Sequence, residues 1–207
     1  MNLTSKRKSL KKLYEPFGLI FIKAHITPNV ITLISVVMGL LAAFSYYKEK
    51  PLTAAIFLFL SGFFDLMDGI VARETEKSSK FGAVYNWIAD KFVDGFVLFF
   101  IGITYSTPVL TAFAVIVNML HTFIKPVAYA EIGFADREKG KINDPLEGIG
   151  FFGRPETMLA ILIFSFMEYF HILGGLETGY IVITALMTLS LAQRIIYLYK
   201  KYNKDYD

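Results

Sequence analysis

The sequence predicts an all-α integral membrane protein with six transmembrane helices and an N-terminal interfacial amphipathic helix. Of the 207 residues, 55% are hydrophobic, and they are gathered in six stretches with few charges. Each stretch is close to the ~20 residues that a helix needs to cross a bilayer. The stretches are Ile26–Tyr47, Pro51–Ala72, Phe81–Tyr105, Pro108–Ile124, Thr157–Leu173 and Thr178–Tyr199. The fourth and fifth are short enough for buried helices of a soluble protein, but six in succession favour a membrane bundle.

Residues 1–25 form a basic juxtamembrane segment ahead of the first stretch. Five cations lie near its start: Lys6, Arg7, Lys8, Lys11 and Lys12. Four apolar residues could share one helix face if Pro16 permits: Leu10, Leu13, Phe17 and Phe21. This pattern is typical of a helix lying on an anionic lipid surface, although a solvated basic tail fits equally well. A cleavable signal peptide is not expected, because no small-residue cleavage site follows.

The charged loops predict the orientation of a single domain, with the bundle over 26–199 and a tail over 200–207. Six spans place both termini on one side, together with the loops Arg73–Lys80 and Glu131–Arg154. That side collects most of the Lys and Arg residues, whereas the other has only Lys48 and Lys50. The positive-inside rule makes the rich side cytoplasmic, in a cell membrane. The chain has no cysteine, which excludes disulfide scaffolds and thiolate sites.

Four aspartates lie inside or at the ends of the second and third stretches. Asp65 and Asp68 are three residues apart, and Asn86, Asp90 and Asp94 are each four apart, so each set shares one helix face. A carboxylate at membrane depth costs ~2.5–3.5 kcal/mol on insertion scales and is a functional hypothesis by default. The short turn between the two helices lets both sets converge near the cytoplasmic boundary.

Converging carboxylates beside small residues suggest a site for Mg²⁺ or Mn²⁺, with two metal ions expected. Gly69, Ala72, Gly82 and Ala83 leave room for a substrate or a close helix contact. The alternative is a set of structural acids paired with neighbouring cations, namely Arg73, Lys77, Lys80 and Lys91.

Residues 65–90, DLMDGIVARETEKSSKFGAVYNWIAD, closely resemble the signature of the CDP-alcohol phosphotransferase family, D-x2-D-G-x2-A-R-x8-G-x3-D-x3-D. Seven of the eight fixed positions match, and Asn86 stands where the third aspartate is expected. Looser similarities extend over most of the chain: ITPNVIT over Ile26–Thr32, Ala130–Glu131, GRPE over Gly153–Glu156, and Gln193–Arg194.

The resemblance implies transfer of a phosphatidyl-type group from a CDP-linked lipid to an alcohol, with release of CMP, in phospholipid biosynthesis. It makes Asp65, Asp68, Asn86 and Asp90 the metal positions, and Asp90 the general base for the acceptor hydroxyl. It places the nucleotide against Gly69, Ala72, Arg73 and Gly82. A homodimer is also implied, and the many aromatic residues are expected at lipid rather than at a nucleic acid.

Asn86 leaves three interpretations open. A carboxamide oxygen can bind a hard cation but brings no negative charge. The site could then hold one metal tightly and a second weakly. Asp94, one turn further along the helix, could compensate in part. The chain could also be a relative of low activity or none.

The acceptor is expected near the cytoplasmic loop, against Lys125, Glu131 and Arg154. A phosphorylated acceptor, inositol phosphate or glycerol phosphate, needs several cations. Family members that use inositol phosphate are expected to carry more arginines here, so serine or another small alcohol stays open. Arg137, Lys139 and Lys141 are more simply a solvated loop. Gln193 and Arg194 either pair inside the bundle or, for Arg194, reach toward water.

A cation carrier is the competing function, because acids at membrane depth also line ion pathways. The acids cluster at one face of the membrane rather than along a path. No pair of Gly- or Pro-broken stretches recurs in two halves, as inverted repeats would require.

Overall fold

A computed structural model describes residues 16–75, 79–132, 137–138, 141–142, 146 and 148–203. Six long helices follow one another: α1 Pro28–Tyr47, α2 Pro51–Glu74, α3 Lys80–Tyr105, α4 Pro108–Ile132, α5 Arg154–Tyr169 and α6 Gly175–Tyr202. A minimal antiparallel pairing of β1 (Arg137–Glu138) with β2 (Lys141–Ile142) lies between α4 and α5. The all-α fold class is confirmed, with this two-residue pairing as a minor addition in the loop between α4 and α5.

The helix starts follow from local sequence. Pro28, Pro51 and Pro108 each open a helix, where the missing N–H of proline costs nothing and its fixed φ suits the first turn. α3 instead begins after Ser79, whose Oγ accepts a 2.9 Å hydrogen bond from the N–H of Gly82. These signals set the helix starts without tertiary contacts.

α1 packs against its two successors in the chain. It contacts both α2 and α3, while α5 lies against α2 and α6, and α4 lies against α3 and α6. Gly39 of α1 is buried against the methyl groups of Val93 on α3, so the two backbones come close. Deeper in the bundle, the hydroxyl of Tyr46 lies 2.8 Å from Oγ of Ser165 on α5.

Four of the described helices, α1, α2, α4 and α6, are long and apolar enough to cross a membrane. They make the chain an integral membrane protein. α3 carries Asp90, Lys91 and Asp94 within its central turns, and α5 has 16 residues. The six predicted spans are thus confirmed as helices, and four of them as candidate spans; crossing by α3 and α5 stays a prediction.

One predicted boundary is wrong. α4 runs to Ile132, well past Ile124, and contains Pro126. Proline within a helix removes one backbone hydrogen bond and can bend it, but the residues after Pro126 continue the helix. Lys125 therefore lies within the helix, about two turns before its end.

Residues 16–23 are helical and lie against α2. The ring of Phe17 meets Phe63 edge-on at 5.8 Å, and that of Phe21 meets Phe64 at 6.0 Å. Gly18 lies directly against Ile70. Part of the expected amphipathic face thus packs on protein. The basic cluster and Leu10 and Leu13 lie outside the described residues, so the interfacial helix stays a prediction.

Candidate active site

The hairpin of α2 and α3 brings the predicted acids together. Nδ2 of Asn86 on α3 donates to Oδ1 of Asp65 at 3.2 Å and to Oδ2 of Asp68 at 2.8 Å, both on α2. Asp90 lies one turn further along α3 on the same face as Asn86. The spacing in the sequence therefore predicted which side chains converge, and the amide at position 86 is what joins them.

Asp68 is the most enclosed of these carboxylates, at 5% exposure. Its Oδ2 also accepts a 2.6 Å hydrogen bond from Oγ1 of Thr32 on α1. Two donors on one oxygen offset much of the cost of burying this group. Thr32 was not singled out from the sequence, although it ends the ITPNVIT segment.

Arg154, the first residue of α5, lies among the acids. Nη1 is 2.6 Å from Oδ2 of Asp65, Nη2 is 3.1 Å from Oδ1 of Asp90, and Nε is 3.0 Å from Oδ1 of Asp94. The sequence suggested that Arg154 binds the acceptor. The structure pairs it with Asp65, Asp90 and Asp94, and its contact with an acceptor stays a prediction.

Lys91 pairs with Asp94 at 3.2 Å. If these acids were structural, they were expected to pair with neighbouring cations. Among the described ion pairs, Lys91 with Asp94 is the one that matches this expectation. Arg154 thus pairs with Asp65, Asp90 and Asp94, and Asp94 also pairs with Lys91. Asp68 is held by neutral donors, Thr32 and Asn86.

The chemistry of the donor set fits a hard divalent cation. Asp65, Asp68 and Asp90 offer carboxylate oxygens, and Asn86 would offer its Oδ1 if its side-chain amide turned over. Among the residues described, however, no three acidic or histidine side chains are already arranged to hold a metal ion. Both oxygens of Asp65 are occupied, one by Asn86 and one by Arg154. Metal binding to Asp65 therefore requires the amide of Asn86 or the guanidinium of Arg154 to release one of these oxygens.

The four predicted nucleotide residues lie at the loop end of this hairpin. Gly69 and Ala72 follow Asp68 along α2, and Arg73 is exposed in the last turn. Gly82 also has a structural role, since a Cβ there would sit 3.0 Å from Oγ of Ser79 and 3.4 Å from Oδ1 of Asn29. Their contact with a nucleotide stays a prediction.

Lys125 and Glu131 lie in the last two turns of α4. Lys125 is half-buried and Glu131 is exposed. Arg137, Lys139 and Lys141 belong to the loop, where the side chains lie outside the described part. Assembly of Lys125, Glu131 and Arg154 into one acceptor pocket stays a prediction.

A buried polar cluster fixes the segment that leads into Arg154. Arg194 on α6 is 4% exposed, and it donates from Nε to the carbonyl of Ile149 at 3.1 Å and from Nη1 to that of His121 at 2.8 Å. Ser190 donates to the carbonyl of Phe152 at 2.8 Å and lies 3.1 Å from Nε2 of His121. Of the two expectations for Arg194, pairing inside the bundle is confirmed.

A cavity of about 20 Å³ lies beside this assembly, among Asp94, Asn118, Arg154 and Thr157. It has room for a single water molecule. Nδ2 of Asn118 is buried and has no hydrogen-bond partner among the described residues.

Comparison with known proteins gives a consistent result. The sequence matches the model of the CDP-alcohol phosphatidyltransferase family over residues 25–197. An archaetidylinositol phosphate synthase of Pyrococcus horikoshii is 35% identical over 97 residues, 47% of this chain and 52% of that protein. The match thus spans about half the length of this relative. A phosphatidylinositol phosphate synthase of Mycobacteroides abscessus is 24% identical over 91% of this chain and 84% of its own.

Solved structures share the fold. The phosphatidylinositol phosphate synthase of Mycobacterium tuberculosis with bound CDP-DAG has a TM-score of 0.72 and 21% identity, over 91% of this chain and 94% of its own. The same enzyme in complex with manganese and citrate has a TM-score of 0.72 and 20% identity, over 90% and 88%.

Proposed function

Since the chain belongs to the CDP-alcohol phosphatidyltransferase family, we propose that it transfers a phosphatidyl-type group from a CDP-linked lipid to a hydroxyl of inositol phosphate and releases CMP. The observation that carries the proposal is the meeting of Asp65, Asp68 and Asn86 across the α2–α3 hairpin, with Asp90 one turn away. These motif residues would hold the divalent cation that neutralises a diphosphate ester.

The choice of inositol phosphate is supported by the names of the relatives, which are synthases of archaetidylinositol phosphate and phosphatidylinositol phosphate. It also agrees with the cation Arg154 at the acids, and Lys125 on α4 is the second cation expected to face the acceptor. Glycerol phosphate and serine are the comparison acceptors. The binding of CDP-DAG by the mycobacterial enzyme supports a CDP-linked lipid as donor.

Each site residue has a role in this proposal. Asp65, Asp68, Asn86 and Asp90 would hold a Mg²⁺ or Mn²⁺ ion, in keeping with the manganese complex of the mycobacterial enzyme. Such an ion supplies charge neutralisation at the diphosphate. Gly69, Ala72, Arg73 and Gly82 receive the nucleotide. Asp90 takes the proton of the acceptor hydroxyl, and a positioned base typically contributes ~10²–10⁴-fold to the rate.

The position of the site in the bundle suits both substrates. The acids lie toward the loop end of α2 and α3, so the nucleotide and acceptor would reach them from the cytoplasm while the lipid chains stay in the bilayer. The positive loops make that side cytoplasmic in this proposal. The working unit would be a homodimer in the cell membrane.

One observation favours a second candidate, a relative with little or no transferase activity. Asn86 and Arg154 already satisfy the oxygens of Asp65 without metal, and Arg154 also pairs with Asp90 and Asp94. A site whose acids are held by internal donors could be structural.

The deciding experiment measures CMP release by the purified full chain in lipid nanodiscs. CDP-linked diacyl and archaeal ether lipids are supplied with Mg²⁺ or Mn²⁺ and with inositol phosphate, glycerol phosphate or serine. CMP that depends on metal and on inositol phosphate supports the proposal, with Asp90→Asn as the inactive control. Release with another acceptor alone would correct the substrate, and no release under any condition would favour the structural relative.

A further inference from the structure

One polar side chain of α4 lies beside the acids with part of its hydrogen-bonding capacity unused. Asn118 is 9% exposed, and its Nδ2 has no hydrogen-bond partner among the described residues. α4 is one of the four described helices that are apolar enough to cross a membrane. A buried amide left unpaired costs free energy, so a group of this kind inside the bundle calls for a partner.

The cavity beside Asn118 has the size and the lining of a water site. It measures about 20 Å³, and a buried water needs roughly 10–15 Å³ together with two to four polar partners. Its apolar walls are formed by Leu58, Val97, Leu98, Met158 and Ile161. Its polar groups belong to Asp94, Asn118, Arg154 and Thr157.

The donors and acceptors around the cavity match what one water can offer. Oδ1 of Asp94 accepts only from Nε of Arg154 among the hydrogen bonds described, at 3.0 Å, whereas a carboxylate oxygen has two acceptor positions. The hydroxyl of Thr157 donates to the carbonyl of Gly153 at 2.9 Å and keeps its oxygen as an acceptor. One water can thus accept from Nδ2 of Asn118 and donate to Asp94 and Thr157.

Asp94 connects this cavity to the other acids. Its two oxygens receive Nε of Arg154 at 3.0 and 3.1 Å, and one of them also receives Lys91 at 3.2 Å. The other two guanidinium nitrogens of Arg154 meet Asp65 and Asp90. Because a guanidinium is planar and rigid, the position of Asp94 sets where those two nitrogens point.

We propose that Asn118 is a positioning residue that holds Asp94 in place through one buried water. Asp94 in turn aligns the guanidinium of Arg154 with the other two acids. This inference rests on the proposed function, because the acids that are aligned are those of that reaction. Asn118 acts in it only through its neighbours.

Nuclear magnetic resonance of the ¹⁵N-labelled full chain in nanodiscs tests the geometry without turnover. A cross-peak between water and the side-chain amide protons of Asn118, assigned by its loss in Asn118→Ser, should report the buried water. The Nε–H resonance of Arg154, assigned by its loss in Arg154→Lys, should shift in Asn118→Leu because Asp94 is no longer held. Thr184→Val should leave both signals unchanged, since the buried hydroxyl of Thr184 donates within its own helix.

Stability and turnover separate positioning from packing. Asn118→Leu replaces the unpaired amide by apolar atoms that fill the cavity, so its thermal midpoint should be no lower than that of the unchanged chain. Its kcat for CMP release should nevertheless fall about 10- to 100-fold, as is typical when a supporting partner of a metal site is lost, with little change in KM for the CDP-lipid. Asn118→Ser retains a donor and leaves room for a second water, so it should recover most of kcat.

Absence of the water cross-peak in the unchanged chain would overturn the inference, and this outcome applies even if Asn118→Leu does not fold. An unchanged Arg154 signal in Asn118→Leu would overturn it too. Equal losses of kcat in Asn118→Leu and Asn118→Ser would show that volume rather than hydrogen bonding matters, which also contradicts it. CMP release without the cross-peak refutes this inference alone, whereas both signals without CMP release refute the proposed function and leave the link from Asn118 to Arg154 standing.

Discussion

Thr32 on α1 donates a 2.6 Å hydrogen bond to the same oxygen of Asp68 that accepts the amide of Asn86 from α3. One carboxylate oxygen on α2 thus joins three helices. This contact links the N-terminal part of the family-like sequence to the acidic hairpin.

Thr32→Val should weaken both stability and metal binding. It removes a donor to a buried charged group, which typically costs about 1.5–3 kcal/mol of unfolding free energy. Thermal unfolding in detergent and Mn²⁺ titration measure the two effects. Thr32→Ser keeps the hydroxyl and should lie close to the unchanged chain; equal losses in both variants would show that the methyl group, not the hydrogen bond, matters.

Asn86→Asp should raise CMP release and tighten the binding of one divalent ion by about 10- to 100-fold, the range over which metal-site partners typically act. The added carboxylate brings charge and removes the amide that ties up Asp65 and Asp68. Without metal, the same change should lower the thermal midpoint through repulsion among the acids. A rate and a Mn²⁺ affinity equal to those of the unchanged chain would contradict this.

Arg194→Met should destabilise the bundle and displace the start of α5. It leaves the buried carbonyls of His121 and Ile149 without these donors, at about 1–3 kcal/mol each. The midpoint of thermal unfolding measures this loss of stability. Gln193→Met is the matched control, because the exposed Gln193 accepts only a 3.2 Å bond from the N–H of Phe151 among the hydrogen bonds described. If Gln193→Met lowers the midpoint of thermal unfolding as much as Arg194→Met does, the buried cluster is not what anchors the start of α5.

Gly39→Ala should be harmful and Gly95→Ala tolerated. A methyl at Gly39 meets both methyl groups of Val93 and lies 3.1 Å from Oγ of Ser61, so α1 and α3 must separate. Overpacking of this kind typically costs about 1–3 kcal/mol. At Gly95 a methyl meets only Cε of Met119, at 2.9 Å, and that side chain can move. Comparison of thermal midpoints tests the pair, and equal tolerance would show that the α1–α3 contact is loose.

Much of the fold could be predicted because apolar stretches and proline signals are local. The six helices follow the six stretches, and Pro28, Pro51 and Pro108 mark three of their starts. The extension of α4 beyond Lys125 could not be read, because a charge and a proline usually end an apolar pattern although the helix continues through both.

The acids of the site could be predicted because their spacing places each set on one face of its helix, and the short turn brings the two faces together. Arg154 could be recognised as functional but not assigned, since its partners depend on how α5 packs beside α2 and α3. The contacts of Thr32 and Arg194 depend in the same way on helices distant in sequence. The sequence shows which helix face a side chain lies on. Its partners on other helices can be identified only once the packing of the helices is known.

The ion pair between Asp65 and Arg154 spans 89 positions of the chain. During synthesis the ribosome therefore delivers the acidic hairpin well before it makes the arginine that will sit among its carboxylates. Until α5 arrives, the nascent acids have to stay hydrated at the bilayer edge, because an unpaired carboxylate is costly in hydrocarbon. The order of translation thus makes arrival of the fifth helix the step that completes this part of the protein.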